Sequence, residues 1–380
     1  MILRKGIQRY FIIDKFSIIL HIFTNMKINS YYVIGVMSGT SLDGIDLCYV
    51  RFQFNANWKF NIIKAGTIPY TTYWLEILSN VIERSSLELE QIDVAYSTYL
   101  GNVVKEFIRK YNIERLDAIC SHGHTVFHQP ENNLTYQIGN LKDIGTVLDK
   151  TVVCDFRIQD VEYGGQGAPL VPIGDTLLFS EYDFCLNLGG FANISFDKNG
   201  NRIAYDICPV NIVLNYFTKQ IGLDYDDHGK MAASGSIDQQ LLSALNDLEY
   251  YKREHPKSLG LEWVKTNILP LIKSYNLSIS DILRTFVEHI AVQIADQFNF
   301  MPDTMVLVTG GGTFNSFLMG RIMDQSSPKI IIPSNEIVNF KEALVFGFLG
   351  VLKLRNEPNC LSSVTGAKRD HSSGKIFHPE

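Results

Sequence analysis

Two strand, glycine turn, strand segments about 150 residues apart do most to limit what this chain can fold into. The first is Ser38-Gly39-Thr40-Ser41-Leu42-Asp43-Gly44, set between β-like runs from Tyr32 to Met37 and from Ile45 to Phe52. The second is Cys185-Leu186-Asn187-Leu188-Gly189-Gly190-Phe191-Ala192-Asn193-Ile194-Ser195. A third glycine turn, Thr309-Gly310-Gly311-Gly312-Thr313, follows the apolar strand Met305 to Val308 and precedes a helix beginning near Asn315. Glycine and hydroxyl residues in a tight turn let backbone N–H groups converge without a Cβ in the way, which is what an anionic phosphate needs. Taken singly, each turn is equally well an ordinary polar hairpin or bend. Taken in this order they predict two similar halves clamping a nucleotide, with the hairpins at its phosphates and the triple glycine flat against its base and ribose. Asp43 would repel a phosphate unless a divalent cation lay between them, so the first hairpin reads as holding metal-bound nucleotide.

The rest of the chain supports a layered α/β protein. Short β-branched and apolar runs recur at 32–37, 45–52, 59–66, 117–121, 151–154, 184–188, 193–196, 304–309 and 328–332. Helical periodicity occupies 73–88, 91–111, 209–221, 236–254, 261–275, 278–299 and 342–354, and strands alternating with helices define that class. A GxxxxGK[ST] loop and the HRD and DFG kinase signatures are missing from the sequence, which leaves a hairpin-cradle ATPase. With 380 residues there is room for two domains with their own cores. A net charge of −6 with scattered basic residues excludes a non-specific nucleic-acid binder. No segment approaches the ~20 apolar residues of a membrane span. Six cysteines, at 48, 120, 154, 185, 208 and 360, form no CxxC pair and read as reduced core thiols of a cytosolic protein. The first 25 residues carry a short apolar run, Phe16 to Phe23, broken by His21, with Met26 just beyond. They read as an upstream extension, with a targeting or membrane-surface helix as the alternative.

Val33-Ile34-Gly35-Val36-Met37-Ser38-Gly39-Thr40-Ser41-Leu42-Asp43-Gly44-Ile45-Asp46 resembles the opening signature of the anhydro-N-acetylmuramic acid kinases, members of the actin, sugar kinase and heat-shock ATPase superfamily. Further matches are Ser121-His122-Gly123-His124-Thr125-Val126-Phe127-His128, Gln137-Ile138-Gly139, Asp155-Phe156-Arg157, Gly164-Gly165-Gln166-Gly167-Ala168-Pro169-Leu170-Val171-Pro172 and Ser363-Val364-Thr365-Gly366-Ala367. With the Asn187 hairpin and the Gly310 turn they span about residues 31 to 380. The resemblance implies two actin-like (ribonuclease H-like) domains around a central nucleotide and sugar cleft. The divisions are 31–152 with the tail 366–380, then 153–365, after an extension over 1–30. It implies a cytoplasmic enzyme, with a homodimer left open, using ATP and Mg²⁺ to phosphorylate O6 of 1,6-anhydro-N-acetylmuramic acid while water opens the anhydro bridge. The product, N-acetylmuramic acid 6-phosphate, serves cell-wall recycling. Ser38, Gly39, Thr40, Ser41, Asp43, Gly44, Asn187, Gly189, Gly190, Gly310, Gly311 and Gly312 are the implied ATP-binding set, with Asp43 toward the metal.

Opening the bridge requires a carboxylate to take a proton from the water that attacks the anomeric carbon. The family places it in a Gly-aromatic-Asp-Thr/Cys-Gly-Pro-Gly-Asn motif. The matching stretch is Ala204-Tyr205-Asp206-Ile207-Cys208-Pro209-Val210-Asn211, so Asp206 inherits the role of base and Asn211 a place at the substrate. Both motif glycines are replaced, by Cys208 and Val210, so the local backbone or the pocket wall is expected to differ. Read from the residues alone, Asp206 lies before a helix opened by Pro209, where the helix dipole keeps it ionised or where it acts only as an N-cap. His122, His124 and Thr125 are expected at the sugar as polar pocket residues; no cysteine or carboxylate at ligand spacing supports a zinc site there. Arg157 and Gln166 are expected at the lactyl carboxylate and the sugar; a surface bridge from Arg157 to Asp160 or Glu162 is the alternative. Asp226, Asp227, Glu288 and Glu342 match family positions without an assigned role. The rival readings are another sugar kinase of this fold and a nucleotide-gated sensor without turnover.

Overall fold

The computed structural model describes residues 29–379 apart from 40, 41, 299, 300 and 302. The expected extension up to residue 28, and the expected phosphate contacts Thr40 and Ser41, lie outside the described residues.

The strands in chain order are β1 (Ser30–Ser38), β2 (Ile45–Asn55), β3 (Asn57–Ile68), β4 (Ala118–Ser121), β5 (His124–Gln129), β6 (Leu134–Ile138), β7 (Val152–Cys154), β8 (Phe184–Leu188), β9 (Phe191–Lys198), β10 (Asn201–Pro209), β11 (Met305–Thr309), β12 (Lys329–Ile331) and β13 (Lys375–Phe377). They form two sheets and one ribbon. The first sheet has the order β13-β7-β4-β1-β2-β3, and the second β10-β9-β8-β11-β12. In the first, β1, β2 and β3 form an antiparallel meander, and β4 and β7 then add in parallel to β1. The second repeats this plan: β8, β9 and β10 meander, and β11 and β12 add in parallel to β8. This is the duplication that the two hairpins predicted.

Both faces of the first sheet are covered, which explains why β1 reads as a nearly unbroken apolar run rather than an alternation. Ile34, Val36, Ile45 and Leu47 pack under the helices Thr72–Ser79 and Ser86–Tyr111 through Trp74, Tyr96, Leu100 and Phe107. Val33, Cys48, Val50 and Phe52 pack on the opposite side against the helix Asn335–Leu354. That second cluster continues through Leu170 and Ile173 to Cys185 and Leu307 of the second sheet. The far face of the second sheet buries its apolar side chains against the helices Asn211–Lys219, Ile279–Ala295 and Ser316–Gln325. Gly35 fixes the central contact: a Cβ there would lie 1.8 Å from the Ala343 carbonyl oxygen, so only glycine lets this helix cross β1 so closely. The sequence division places 335–354 with the second half, whereas these residues pack on β1, β2 and β4 of the first sheet.

Local chemistry explains where the elements differ from the sequence expectation. One helix over 73–88 becomes a helix ending at Ser79 and another starting at Ser86, because Ser85 and Glu88 form a reciprocal capping box. The expected helix 236–254 holds only over Gln239–Asn246, capped by Asp238; the following stretch to residue 260 is an irregular loop. Strand β10, absent from the sequence reading, carries Asp206, and the helix after it starts at Asn211 rather than at Pro209. Among the described residues no helix is long and apolar enough to cross a membrane.

Candidate active site

The ends of the two meanders and the 247–260 loop enclose a cavity of about 1260 Å³. Asp46 and Glu342 line it with Asn187, Gly189, Asp206, Gly310, Gly311 and Gln166. Six residues singled out from the sequence for the site thus meet at one cavity: Gln166, Asn187, Gly189, Asp206, Gly310 and Gly311. The remaining described ones are not among its lining residues.

The triple-glycine turn is shaped by its approach to β8. Gly310 has φ +88°, and a Cβ on it would lie 2.5 Å from Asn187 Oδ1 and 2.8 Å from the Leu188 carbonyl oxygen. A Cβ on Gly312 would lie 2.7 Å from Leu188 Cβ. Gly311, between them, has nothing within 4 Å of its Cβ position; it lines the cavity and presents bare backbone to it. Thr313 donates its hydroxyl to the Gly310 carbonyl at 2.7 Å, and Asn315 accepts from the Leu318 N–H to cap the next helix. On the other side of the turn, the Asn211 amide donates to the carbonyls of Gly189 (2.9 Å) and Leu188 (3.4 Å). Asn211 therefore holds the second hairpin in shape and is not among the residues that line the cavity. Gly190, exposed at the hairpin tip, accepts from the Val210 N–H at 2.8 Å.

Asp206 projects from the bulged end of β10. Its Oδ2 accepts from the Leu259 N–H at 2.8 Å, and its backbone carbonyl accepts from the Tyr250 hydroxyl at 2.6 Å. Burial raises its carboxyl above the ordinary aspartate value, and the Leu259 N–H offsets part of that rise. The expected support from a helix N-terminus is replaced by this single backbone donor from the loop. Cys208 and Val210, the residues that replace motif glycines, are fully buried in the core of the second half. Their side chains point away from the cavity, so the substitution changes the packing behind the site rather than its wall.

The first hairpin meets the expectation only in part. The Ser38 hydroxyl is buried in the first half, bonded to the hydroxyls of Tyr70 (2.7 Å) and Tyr96, and is not presented to the cavity. Gly44 is required by β3, since a Cβ there would lie 2.9 Å from the Ile68 carbonyl oxygen; Gly39 is half-buried, outside the cavity wall. Asp43 is exposed. The acid that faces the cavity from this hairpin is Asp46, which accepts from the Thr67 hydroxyl at 2.5 Å. Burial raises its carboxyl, and Asp43 adds to the rise. Glu342 is raised by burial too, with Asp46 adding to the rise and Arg157 and Lys341 opposing it. Neither Asp46 nor Lys341, which pairs with Asp175 at 2.7 Å in the same wall, was read as a site residue. The available signal for Asp46 was an acid between the apolar Ile45 and Leu47.

On the sugar side, Arg157 makes neither surface bridge. Its Nε donates to His122 Nε2 at 2.9 Å and its Nη1 to the Gly167 carbonyl at 2.6 Å. His122 in turn donates from Nδ1 to the Gly123 carbonyl at 2.8 Å. Burial, reinforced by the Arg157 charge, holds its pKa well below the usual histidine value, so it is a neutral acceptor for Arg157. His124 is pushed down to about 4 by burial; its Nδ1 has no partner among the described residues. Thr125 sits on β5 opposite Gln137. Arg157 thus ties His122 to the Gly164–Ala168 loop, and Gln166 alone of the sugar set is among the residues that line the cavity. Three acids of unassigned role have partners within the fold: Asp226 accepts from the N–H groups of Met231 and Ala232, Asp227 pairs with Lys230 on the surface, and Glu288 clamps Arg284 and Arg321.

Two meander-plus-parallel sheets with glycine turns and a carboxylate meeting at one cleft give the actin-like architecture, and the family match makes the protein a kinase. The chain belongs to the anhydro-N-acetylmuramic acid kinase family, whose model matches residues 31–379. It is similar to the anhydro-N-acetylmuramic acid kinase of Sulfurimonas denitrificans, with 32% identity over 92% of this chain and 100% of that one. The namesake from Pasteurella multocida is 34% identical over 93% of this chain and 99% of its own. Among solved structures, the chain is similar to the activator of a Clostridium difficile 2-hydroxyisocaproyl-CoA dehydratase, at 14% identity and a TM-score of 0.42, covering 85% and 96% of the two chains. A ROK family glucokinase from Streptomyces griseus gives 9% identity and a TM-score of 0.40, covering 84% and 99%.

Proposed function

We propose that this protein is a cytoplasmic, ATP- and Mg²⁺-dependent kinase that opens 1,6-anhydro-N-acetylmuramic acid with water and phosphorylates its O6, yielding N-acetylmuramic acid 6-phosphate for cell-wall recycling. The observation that carries it is the meeting of Asp206, the Asn187–Gly189 hairpin and the Gly310–Gly311 turn at one cavity. The residues fit both cofactors. Gly311 leaves a space that a Cβ would fill, suited to a nucleotide lying on the turn, with Gly189 beside it for phosphate. Asp46 and Glu342, two buried carboxyls of which Asp46 adds to the rise of Glu342, are the donor set a divalent cation would relieve, with Asp43 nearby. When bound, Mg²⁺–ATP supplies the phosphoryl group with its charge screened.

The protein's own residues then divide the work. With Oδ2 held by Leu259, Asp206 takes the water's proton on Oδ1, and its raised pKa makes it a stronger base than an exposed aspartate. Gln166 contacts the sugar from the loop that Arg157 and His122 hold, and Arg157 supplies the positive charge on the side of the lactyl carboxylate. The six buried, unpaired cysteines are consistent with a reducing compartment. Incubation with ATP, Mg²⁺ and the anhydro sugar, followed by mass spectrometry of the product, tests the reading. Absence of a phosphorylated, ring-opened product would refute it.

A further inference from the structure

Behind the Gly164–Ala168 loop, outside the cavity, Asp160, Cys360 and His371 converge, with one ligand atom from each lying within 4.8 Å of the others. All three are buried, at 0%, 1% and 6% exposure. Two backbone hydrogen bonds, Cys360 N–H to the His371 carbonyl and the reverse, set these two side by side. His371 Nδ1 lies 3.1 Å from the Arg369 carbonyl oxygen, which can only accept, so Nδ1 carries a proton and Nε2 is the ring nitrogen left to face Asp160. Among the described residues that Nε2 has no hydrogen-bond partner, and it points at Asp160 Oδ1, 3.5 Å away. Between this nitrogen and the buried carboxylate oxygen, either a second ring proton or a metal cation must stand.

We propose that Asp160, Cys360 and His371 bind one divalent ion of the zinc class, with water in the fourth position. A tetrahedral ion with bonds of about 2.0–2.3 Å spaces its ligand atoms by roughly 3.5 Å, so the observed cluster closes on it with shifts of about 1 Å. The surrounding bonds are those that orient metal ligands. The His371 Nδ1–H is fixed by a carbonyl, and Asp160 is fixed by the Thr365 hydroxyl on Oδ1 (2.8 Å) and the Gly167 N–H on Oδ2 (2.7 Å). Binding releases the Cys360 thiol proton, and one carboxylate plus one thiolate balance the dication, leaving the buried site neutral beside Arg157. Gly167 and Thr365 belong to the segments that shape the sugar end of the cavity, so the ion would pin the C-terminal segment 359–371 to the sugar loop.

Cobalt(II) reads this site independently of turnover. The full-length protein, stripped with chelator and kept in excess Mg²⁺ to fill acidic sites, is titrated with Co²⁺. The expected result is a saturable thiolate-to-cobalt charge-transfer band at one equivalent, displaced by Zn²⁺. It should vanish in Cys360→Ser and persist in Cys185→Ser, which removes the thiol that lines the cavity. His371→Ala should weaken the binding tenfold or more, and this variant decides the matter should Cys360→Ser not fold. No band with the folded parent chain, a band that survives Cys360→Ser, or unchanged affinity in His371→Ala would overturn the proposal. In that event, His371 is an imidazolium paired with Asp160.

Discussion

The glycine turn over β8 gives a prediction in which adjacent, chemically identical substitutions part ways. Gly310→Ala puts a methyl group 2.8 Å from a backbone carbonyl oxygen at a φ of +88°. The extended positive-φ conformation, essentially reserved for glycine, costs about 1–3 kcal/mol, and relieving contact with a backbone atom adds about 1–3 kcal/mol. At ~2 °C per kcal/mol, the melting temperature should fall by about 4–12 °C. Gly311→Ala meets nothing within 4 Å, and a less flexible unfolded chain makes the fold equal or more stable, by up to ~1 kcal/mol. Its methyl group instead intrudes on the nucleotide, raising the KM for ATP about tenfold, ~1.4 kcal/mol. Differential scanning fluorimetry and initial-rate kinetics on both variants separate the two effects. A Gly311→Ala enzyme with the parent KM for ATP would mean that the turn does not face the nucleotide, and an undisturbed melting temperature for Gly310→Ala would refute the close approach to Leu188.

Other consequences follow from the charges in the cleft. Because burial raises the Glu342 carboxyl, its protonated form is favoured by folding, and the associated stability is lost as pH rises through the raised pKa; Glu342→Gln should therefore melt higher than the parent at pH 8, equal it near pH 4, and lose activity, as thermal scans and assays would register. His124, held down to about 4, and His289, down to about 3, contribute stability that is complete above ~6.5 and lost as pH falls below it; urea midpoints measured from pH 7 to pH 4.5 should decline, and less steeply in His289→Gln. His122→Ala removes the acceptor for Arg157 Nε and should raise the sugar KM about tenfold while leaving the ATP KM within twofold, a split that equal changes in both would contradict.

The duplication was legible because its carriers are local: glycine turns and apolar strands announce themselves within ten residues. Strand β10 was missed although its hairpin is local: Asn199-Gly200, both at positive φ, turn β9 directly into β10, but Arg202, Tyr205 and Asp206 among its apolar positions masked the strand pattern. In the site, Asp206, Gly310 and Gly311 were found as motif residues. Ser38 was assigned to phosphate because a hydroxyl in a glycine loop suits it, yet Tyr70 and Tyr96, 32 and 58 residues away, claim that hydroxyl for the core. The same distance effect hid the contribution of the 247–260 loop, whose Leu259 N–H reaches Asp206 across 53 residues. The bond from the Asn211 amide to the Gly189 carbonyl was not legible either, because only the folded hairpin brings the two together.

The central claim, that Asp206 activates water as the sugar is phosphorylated, is tested most directly by running the reaction in ¹⁸O-labelled water and locating the isotope in the product. The parent enzyme should place one label at C1 of a ring-opened 6-phosphate, and Asp206→Asn, which retains an oxygen to accept from Leu259, should slow that product by about 10⁴ or more while nucleotide affinity stays within threefold. Phosphate transfer without label at C1, or an Asp206→Asn enzyme working at a tenth of the parent rate, would contradict it.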